Sequence, residues 1–196
     1  MRREEILQAT VQQIERRGFA GTRAADVAEA LGVSPALIFY HFASKDALLA
    51  AAFSLAAERD LRRLEKAAAA DAPVTERLRR ILRLYAPVGS SPGWTLWIDS
   101  WGAALREPQL RAVSRRLDVR WKDAVAGLIT EGVASGELNC PDPQGAAWRI
   151  TALLDGLAVQ VTVHKGVLSR RQMHRWVNAA AAAELGLDPA AMFSTS

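Results

Sequence analysis

Apolar residues recur at spacings of three and four along almost the whole chain, which is the spacing of amphipathic helices. No segment alternates β-branched and polar residues for more than a few positions, so we predict no strand. Glycine, proline and short polar stretches divide the pattern into separate helices. These are predicted at residues 4–17, 23–31, 35–42, 45–69, 75–86, 94–106, 109–134, 144–164 and 170–183. The pattern therefore predicts an all-α protein.

The second and third predicted helices have the features of a helix-turn-helix. Gly32 provides the tight turn between them, and Pro35 is tolerated at the first position of the third helix. We expect Thr22 and Ser34 to cap the helices that follow them. Such a construction places a short second helix in the major groove of DNA, although a generic helical hairpin is the alternative.

Four short motifs within residues 22–48 carry a family resemblance. They are Asp26-Val27-Ala28, Leu31-Gly32-Val33-Ser34, Tyr40-His41-Phe42 and Lys45-Asp46-Ala47-Leu48. Together they resemble the N-terminal signature of the TetR family of transcriptional regulators. Residues 97–136 and Asp155-Gly156-Leu157 are similar, more weakly, to the BetI-type subgroup of that family.

The resemblance implies two domains and a mechanism. Residues 1–55 would form an N-terminal three-helix helix-turn-helix DNA-binding domain, and residues 56–196 a C-terminal helical ligand-binding and dimerisation domain. The expected partners are a palindromic operator in double-stranded DNA, a second copy of the chain in a homodimer, and a small-molecule effector of unknown identity. The effector is expected to release a repressor from its operator. A helical protein-interaction adaptor without DNA binding is the alternative.

Matching positions of the family signature imply a set of DNA contacts. Each of these side chains can bind a phosphate or a base: Thr22, Arg23, Tyr40, His41 and Lys45. The start of the recognition helix adds Ser34, Pro35, Ala36 and Leu37. These four include no Arg, Asn or Gln, so we expect apolar contacts with thymine methyl groups and at most one guanine per half-site, contacted by Arg23.

Two features qualify this DNA-binding surface. Phe39 occupies a position that is usually tyrosine in the family, so one phosphate hydrogen bond is expected to be missing. The other is that three of these side chains have structural alternatives: a packing residue for Tyr40, a cation at a helix C-terminus for His41 and a solvated lysine for Lys45.

The chain has a net charge of +4, but residues 1–55 contain six Lys/Arg and six Asp/Glu. The positive surplus therefore lies C-terminally.

Tryptophans and one acidic residue mark a candidate ligand site in the C-terminal part. Trp97 and Trp101 lie on one side of their predicted helix, and Trp121 lies on the apolar stripe of the next. We expect them to line an aromatic cavity together with Asp155, which would favour a polar or cationic ligand. The alternative for the tryptophans is packing in the core. The alternative for Asp155 is a structural bond to an arginine or a backbone amide.

The predicted helix at 144–164 is apolar on two sides. Ile150, Leu154, Leu157 and Val161 form one stripe, and Trp148 lies on the opposite side. A helix that packs on its own subunit and on a second copy has this pattern. We therefore expect helices 144–164 and 170–183 to form the dimer interface, and we assign the first stripe to it, although the pattern leaves open which side faces the partner.

Other classes of protein are less consistent with the sequence. Residues 89–93 match G-x-S-x-G, but no strand precedes them and Pro92 has no N–H for an oxyanion, so we do not expect an enzyme. Cys140 has no cationic neighbour to activate a thiol sensor. The three histidines include no pair four residues apart, so we expect no metal site and no cofactor.

The chain also lacks the signals that direct proteins into or across membranes. It contains no run of 18 apolar residues, and its N-terminus has no apolar segment of the kind found in signal peptides. We therefore expect a cytoplasmic protein.

Overall fold

The computed structural model describes residues 3–87, 92–188, 190 and 192. The regular elements in these residues are all α-helices. In chain order they are α1 (Arg3–Gly21), α2 (Ala24–Leu31), α3 (Pro35–His41), α4 (Lys45–Ala68), α5 (Val74–Tyr85), α6 (Pro92–Ala104), α7 (Pro108–Ser135), α8 (Pro143–Thr162) and α9 (Arg170–Leu185). The predicted all-α fold is confirmed, and each predicted helix has a counterpart.

The helix ends follow from local side-chain chemistry. Asp142 precedes α8, and its carboxylate accepts a hydrogen bond from the Gly145 N–H at 2.9 Å. Ser169 and Gln172 form a reciprocal capping box at the start of α9. Gly186 ends α9 with a φ of 65°, a left-handed conformation that glycine adopts without steric cost.

Helix α1 contains a break that the sequence pattern predicts as its end. Gly18 has a φ of 73° and a ψ of 170°, and the helix resumes after it for residues 19–21. The break leaves the Phe19 N–H without an intrahelical acceptor. A carboxylate oxygen of Asp99 accepts this hydrogen bond, with 2.7 Å between nitrogen and oxygen.

The helices fall into two compact units. Unit 1 comprises Met1–Asp60 and Pro92–Asp118, and unit 2 comprises Leu61–Ser91 and Val119–Ser196. This division differs from the predicted domains, 1–55 and 56–196, by grouping α6 with the N-terminal helices. The reason is that Asp99 of α6 bonds to α1, while Trp97 of α6 packs on Phe53 of α4.

Each unit has its own apolar core. Large side chains that are fully buried in unit 1 are Ile6, Phe19, Ile38, Leu48, Phe53 and Leu117. Those in unit 2 are Leu61, Leu64, Leu78, Ile81, Ile129 and Leu154. Burial of this apolar surface is the main force that stabilises both units.

A buried arginine of unit 2 makes a hydrogen bond and an ion pair through its terminal nitrogens, while its Nε has no partner among the described residues. The Arg77 guanidinium donates to the carbonyl oxygen of Ala68 at 2.7 Å and forms an ion pair with Glu131. The hydrogen bond from Arg77 lowers the pKa of the Glu131 carboxyl below its ordinary value. This arrangement offsets part of the cost of burying a charged side chain.

The described residues contain neither a helix that could cross a membrane by itself nor a cluster of potential metal ligands. No single helix among them is long and apolar enough to cross a membrane; α3 and α4 reach that length and composition only as a pair, across a bend of 69°. The same residues contain no cluster of three or more His, Cys, Asp or Glu that could hold a metal ion.

Candidate functional site

Helix α3 packs on one side only. Of its seven residues, only Ile38 is buried. Gly32, with a φ of 66°, ends α2, and the Val33 N–H bonds to the Ala28 carbonyl at 2.9 Å. This turn directs the buried side of α3 onto α2 and leaves the other side open to solvent. An exposed second helix held in this way is the arrangement that a helix-turn-helix uses to enter a major groove.

The open side of α3 carries most of the predicted DNA contacts. Ser34, Pro35 and Ala36 are exposed at its start, Leu37 is half-buried, and Tyr40 is 83% exposed near its end. A tyrosine this exposed makes almost none of the contacts that a packing role would require. Its ring makes an edge contact with His41, with the centroids 5.2 Å apart.

Two cationic side chains lie beyond the ends of the helix-turn-helix pair. Lys45 is the first residue of α4 and is half-buried, and the Ser44 hydroxyl before it accepts from the Ala47 N–H at 3.1 Å. The Arg23 side chain is exposed at the start of α2. Its own backbone N–H donates to Asp26, whose other carboxylate oxygen pairs with Arg17 at 3.2 Å.

The structure corrects the role that we expected for the Thr22 side chain. Arg23, and not Thr22, is the capping residue before α2. The Thr22 side chain is fully buried, and its hydroxyl donates to the Gly18 carbonyl at 2.7 Å. The break in α1 leaves that carbonyl in need of a donor, so the hydroxyl is not available to a phosphate. Ser34 does precede α3 as its cap, but its side chain makes no capping hydrogen bond.

The predicted ligand residues of unit 1 form an aromatic chain. The ring of Trp97 makes an edge contact with Phe53 at 4.9 Å between centroids, and Trp101 lies 6.2 Å from Trp97. Trp94 in turn lies 6.1 Å from Trp101. Because Phe53 is fully buried, Trp97 contributes to the packing of unit 1.

The predicted ligand residues of unit 2 meet at a tyrosine. The Tyr85 hydroxyl donates a hydrogen bond to Asp155, and the Tyr85 ring lies 4.6 Å from that of Trp121 in an edge contact. Sequence reasoning missed Tyr85. The available signal was its position on α5, four and three residues after the buried Ile81 and Leu82, which puts it on the same side of the helix.

Several buried polar atoms of unit 2 lack hydrogen-bond partners among the described residues. They include the indole nitrogen of Trp121, the hydroxyl oxygen of Thr162 and the Nε of Arg77. Thr162 lies seven residues after Asp155 on α8, which places both on the same face of the helix. Buried polar groups are normally hydrogen-bonded, so such atoms indicate where a ligand or a water can bind.

The structure also corrects the predicted dimer residues. Ile150 and Leu154 are 2% and 1% exposed in the single chain, so they belong to the core of unit 2 and cannot face a partner. Leu157 and Val161 are half-buried. The exposed side of α8 instead carries Trp148, Ala152, Leu153 and Gly156, and the exposed side of α9 carries Trp176, Ala179 and Ala183.

Side chains at the N-terminal end of α8 hold the two helices together. The Arg149 guanidinium donates to both carboxylate oxygens of Glu184 on α9 at 2.7 Å, and to Asp142 at 3.2 Å. The hydrogen bonds from Arg149 lower the pKa of the Glu184 carboxyl. The pKa of the Asp142 carboxyl is lowered first by the Gly145 N–H and then by Arg149. The Arg149–Glu184 pair therefore joins α8 to α9, and both helices carry exposed apolar residues.

The remaining candidate chemistries have little structural support. Most of the G-x-S-x-G stretch, residues 89–91, lies outside the described residues. Cys140 is 4% exposed, so its thiol is not accessible to a small oxidant at the surface.

Comparison with known proteins gives a consistent result for both parts of the chain. Residues 6–52 match the family model described as bacterial regulatory proteins of the TetR family. Residues 73–186 match the model described as BetI-type transcriptional repressor, C-terminal. The two matches lie on either side of the C-terminal half of α4.

Individual relatives agree with the family models. The chain is 31% identical over 162 residues to the HTH-type transcriptional regulator BetI of Burkholderia mallei, covering 80% of each chain. A TetR-family regulator from Rhodococcus sp. is 29% identical with a TM-score of 0.80, covering 93% of this chain and 97% of that one. A transcriptional regulator from Saccharomonospora viridis, solved in complex with choline, is 30% identical with a TM-score of 0.83, covering 93% and 96%.

These matches distinguish among the functions considered from the sequence. TetR-family regulators bind operator DNA, typically as dimers with small-molecule effectors, and they are not enzymes. The adaptor alternative is not favoured, because the matched N-terminal model is that of a DNA-binding helix-turn-helix. The exposed recognition helix and both family matches therefore place the chain in the TetR family of DNA-binding transcriptional regulators, with a C-terminal part of the BetI type.

Proposed function

We propose that this protein is a homodimeric repressor that binds a roughly palindromic operator through α3 and releases it when a small quaternary ammonium compound occupies unit 2. The observation that carries the DNA-binding part is the open side of α3, where Tyr40 is 83% exposed and only Ile38 is buried. An apolar and aromatic surface of this kind is costly to expose to water unless it meets a partner.

In this proposal, phosphate contacts position the protein and α3 contacts the bases. Tyr40, His41 and Lys45 bind phosphates from the end of α3 and the start of α4, and Arg23 binds from the start of α2. Ser34, Pro35, Ala36 and Leu37 enter the major groove. Since three of these four side chains are apolar, discrimination comes from thymine methyl groups and from the cost of deforming the duplex.

The phosphate contacts predict a measurable salt dependence. With two to three cationic contacts per subunit, log Kd plotted against log salt concentration for the dimer should have a slope of about 4 to 5 in magnitude. Lys45→Ala should weaken binding to specific and random duplexes alike and reduce that magnitude by about 2, because a dimer loses two contacts. Fluorescence anisotropy with labelled duplexes at several salt concentrations measures both effects.

The matched control is Lys66→Ala, which removes a lysine from the other end of the same helix, about 30 Å along its axis. It should leave both affinity and slope unchanged. An affinity that does not depend on salt, or an equal effect of the two lysine substitutions, would contradict the assignment of Lys45 to a phosphate.

The proposed dimer interface is the exposed surface formed by α8 and α9. Trp148 and Trp176 are 46% and 45% exposed, which is unusual for large aromatic side chains. The exposed sides of the same two helices also carry the small residues Ala152, Gly156 and Ala179, which allow two helices to approach closely. A second copy related by a two-fold axis would pair the same surface with itself and bury all of these residues in a four-helix arrangement.

The proposed effector site is the cluster of Tyr85, Trp121 and Asp155 in unit 2. Aromatic rings attract quaternary ammonium groups, and a carboxylate supplies the opposite charge. The unpartnered indole N–H of Trp121 calls for an acceptor such as a hydroxyl oxygen. Choline has both groups, and it is the ligand bound to the related regulator of Saccharomonospora viridis.

A titration with choline tests the effector site. Choline should quench tryptophan fluorescence and bind at least about tenfold more tightly than its uncharged isostere 3,3-dimethylbutan-1-ol, because the isostere lacks the cation–π and carboxylate attraction. Asp155→Asn should remove most of that preference for the charged ligand. In the presence of operator, choline should also lower the affinity for DNA.

Asp123→Asn is the control, since it removes a carboxylate from the exposed side of α7 two residues after Trp121. Choline affinity should be unchanged in this variant. Equal affinities for choline and its isostere, or a structure with the ligand bound elsewhere, would contradict the site.

A further inference from the structure

The contact between α6 and the break in α1 has no role in any function described so far. The Asp99 carboxylate on α6 accepts the Phe19 N–H at 2.7 Å, across 80 residues of sequence. Phe19 is 2% exposed and Asp99 is half-buried, so this hydrogen bond is partly sheltered from water. A hydrogen bond from a backbone N–H to a charged carboxylate is among the stronger kinds in proteins.

The contact is built from both sides. A Cβ atom added to Gly18 would lie 2.9 Å from the Asp99 carboxylate oxygen, and the φ of 73° at Gly18 is one that other residues rarely adopt. Glycine at this position thus allows the carboxylate to reach the backbone. The Thr22 hydroxyl satisfies the carbonyl oxygen on the other side of the break.

The segment held by this contact leads directly into the helix-turn-helix. Residues 19–21 form the last turn of α1, Thr22 is buried, and Arg23 caps the start of α2. A second contact of α6 within unit 1 joins Trp97 to Phe53 of α4. Asp99 thus contacts the segment that leads into α2 and α3.

We propose that Asp99 is a positioning residue for operator binding. Its carboxylate fixes the junction between α1 and α2 and so sets the orientation in which α3 is presented to the major groove. This role rests on the operator binding through α3 proposed above. It differs from the role of the predicted contacts, because Asp99 is negatively charged and acts through the backbone of Phe19 without touching DNA.

The experiment uses the full chain with Asp99→Ala and Asp99→Asn, and with Gly102→Ala as a control on an exposed, open position of the same helix. The probe is a duplex recovered by the wild-type protein from a random library. Asp99→Ala should weaken binding by about tenfold, since one charged hydrogen bond is lost. Asp99→Asn should restore most of the affinity, because its amide oxygen still accepts from Phe19. Hydrogen exchange at the Phe19 amide should accelerate in the alanine variant and remain slow in the asparagine variant.

A double-mutant cycle separates positioning from general stability. Gly18→Ala disrupts the same contact from the α1 side, so adding Asp99→Ala to it should weaken binding much less than Asp99→Ala does alone. If hydrogen exchange at the Phe19 amide is unchanged in Asp99→Ala, that result would overturn the contact between Asp99 and Phe19. Any of three results would overturn the positioning role. They are faster exchange at Phe19 with unchanged DNA affinity, additive effects in the cycle, and an equal loss of DNA affinity in the asparagine and alanine variants. Failure of the wild-type protein to bind any duplex would contradict the proposed function itself, while the exchange measurement, which needs no DNA, would still test the contact.

Discussion

Gly156→Glu should convert the protein into a folded monomer that has lost most of its operator affinity. Gly156 is exposed on α8 within the proposed interface, and a Cβ atom there meets nothing within 4 Å in the single chain. In a helix interior, glutamate is also more favourable than glycine by up to about 1 kcal/mol, so the substitution should not destabilise the subunit itself. In a two-fold interface the two carboxylates would face each other without solvent.

The consequence for DNA binding is large, because a dimer binds its second half-site at a high effective concentration. Its loss should weaken operator binding by roughly 100-fold or more. Sedimentation and anisotropy measure the mass and the affinity. Gly127→Glu, at an exposed and equally open position of α7, is the matched control and should remain a dimer. A Gly156→Glu protein that stays dimeric and binds its operator normally would place the interface elsewhere.

Leu154→Ala should destabilise the fold and not specifically the dimer. Leu154 is 1% exposed within the single chain, so its truncation leaves a cavity in the core of unit 2. Such substitutions lower the free energy of unfolding by about 2 to 5 kcal/mol. Leu154→Asp would bury an unpaired charge in the same place and should yield no folded protein. Chemical denaturation monitored by circular dichroism measures the loss.

The neighbouring Leu153 supplies the comparison, because it is 36% exposed on the other side of α8. Leu153→Ala should change the unfolding free energy of a monomeric background, such as Gly156→Glu, by much less than Leu154→Ala does. If Leu154→Asp instead gave a stable, folded monomer, the original assignment of Leu154 to the interface would be correct.

Helix positions could be predicted from the sequence because each helix here has clear local signals. Pro35, Pro108 and Pro143 begin helices, Gly32 and Gly186 end them, and the apolar spacing between is regular. Local chemistry determines such features, so they do not depend on where the rest of the chain lies. The resemblance to the TetR signature could be recognised for the same reason, since residues 22–48 are contiguous.

Long-range contacts could not be predicted in this way. Asp99 and Phe19 are 80 residues apart, and Tyr85 and Asp155 are 70 apart, with no pattern in the sequence that links them. The choice between the two apolar sides of α8 failed for a related reason. Periodicity shows that Ile150 and Trp148 lie on opposite sides, but it does not tell which side the chain's own core covers.

Selection of bound sequences from random duplex DNA tests the central claim most directly. The proposal that a homodimer binds through α3 predicts that the wild-type protein enriches a two-fold symmetric motif. Its half-site centres should lie about one helical turn or a multiple of it apart, with thymines prominent and at most one strongly preferred guanine per half-site, and that guanine preference should disappear in Arg23→Ala. Enrichment of no motif, or of an asymmetric motif rich in guanines that survives Arg23→Ala, would contradict it.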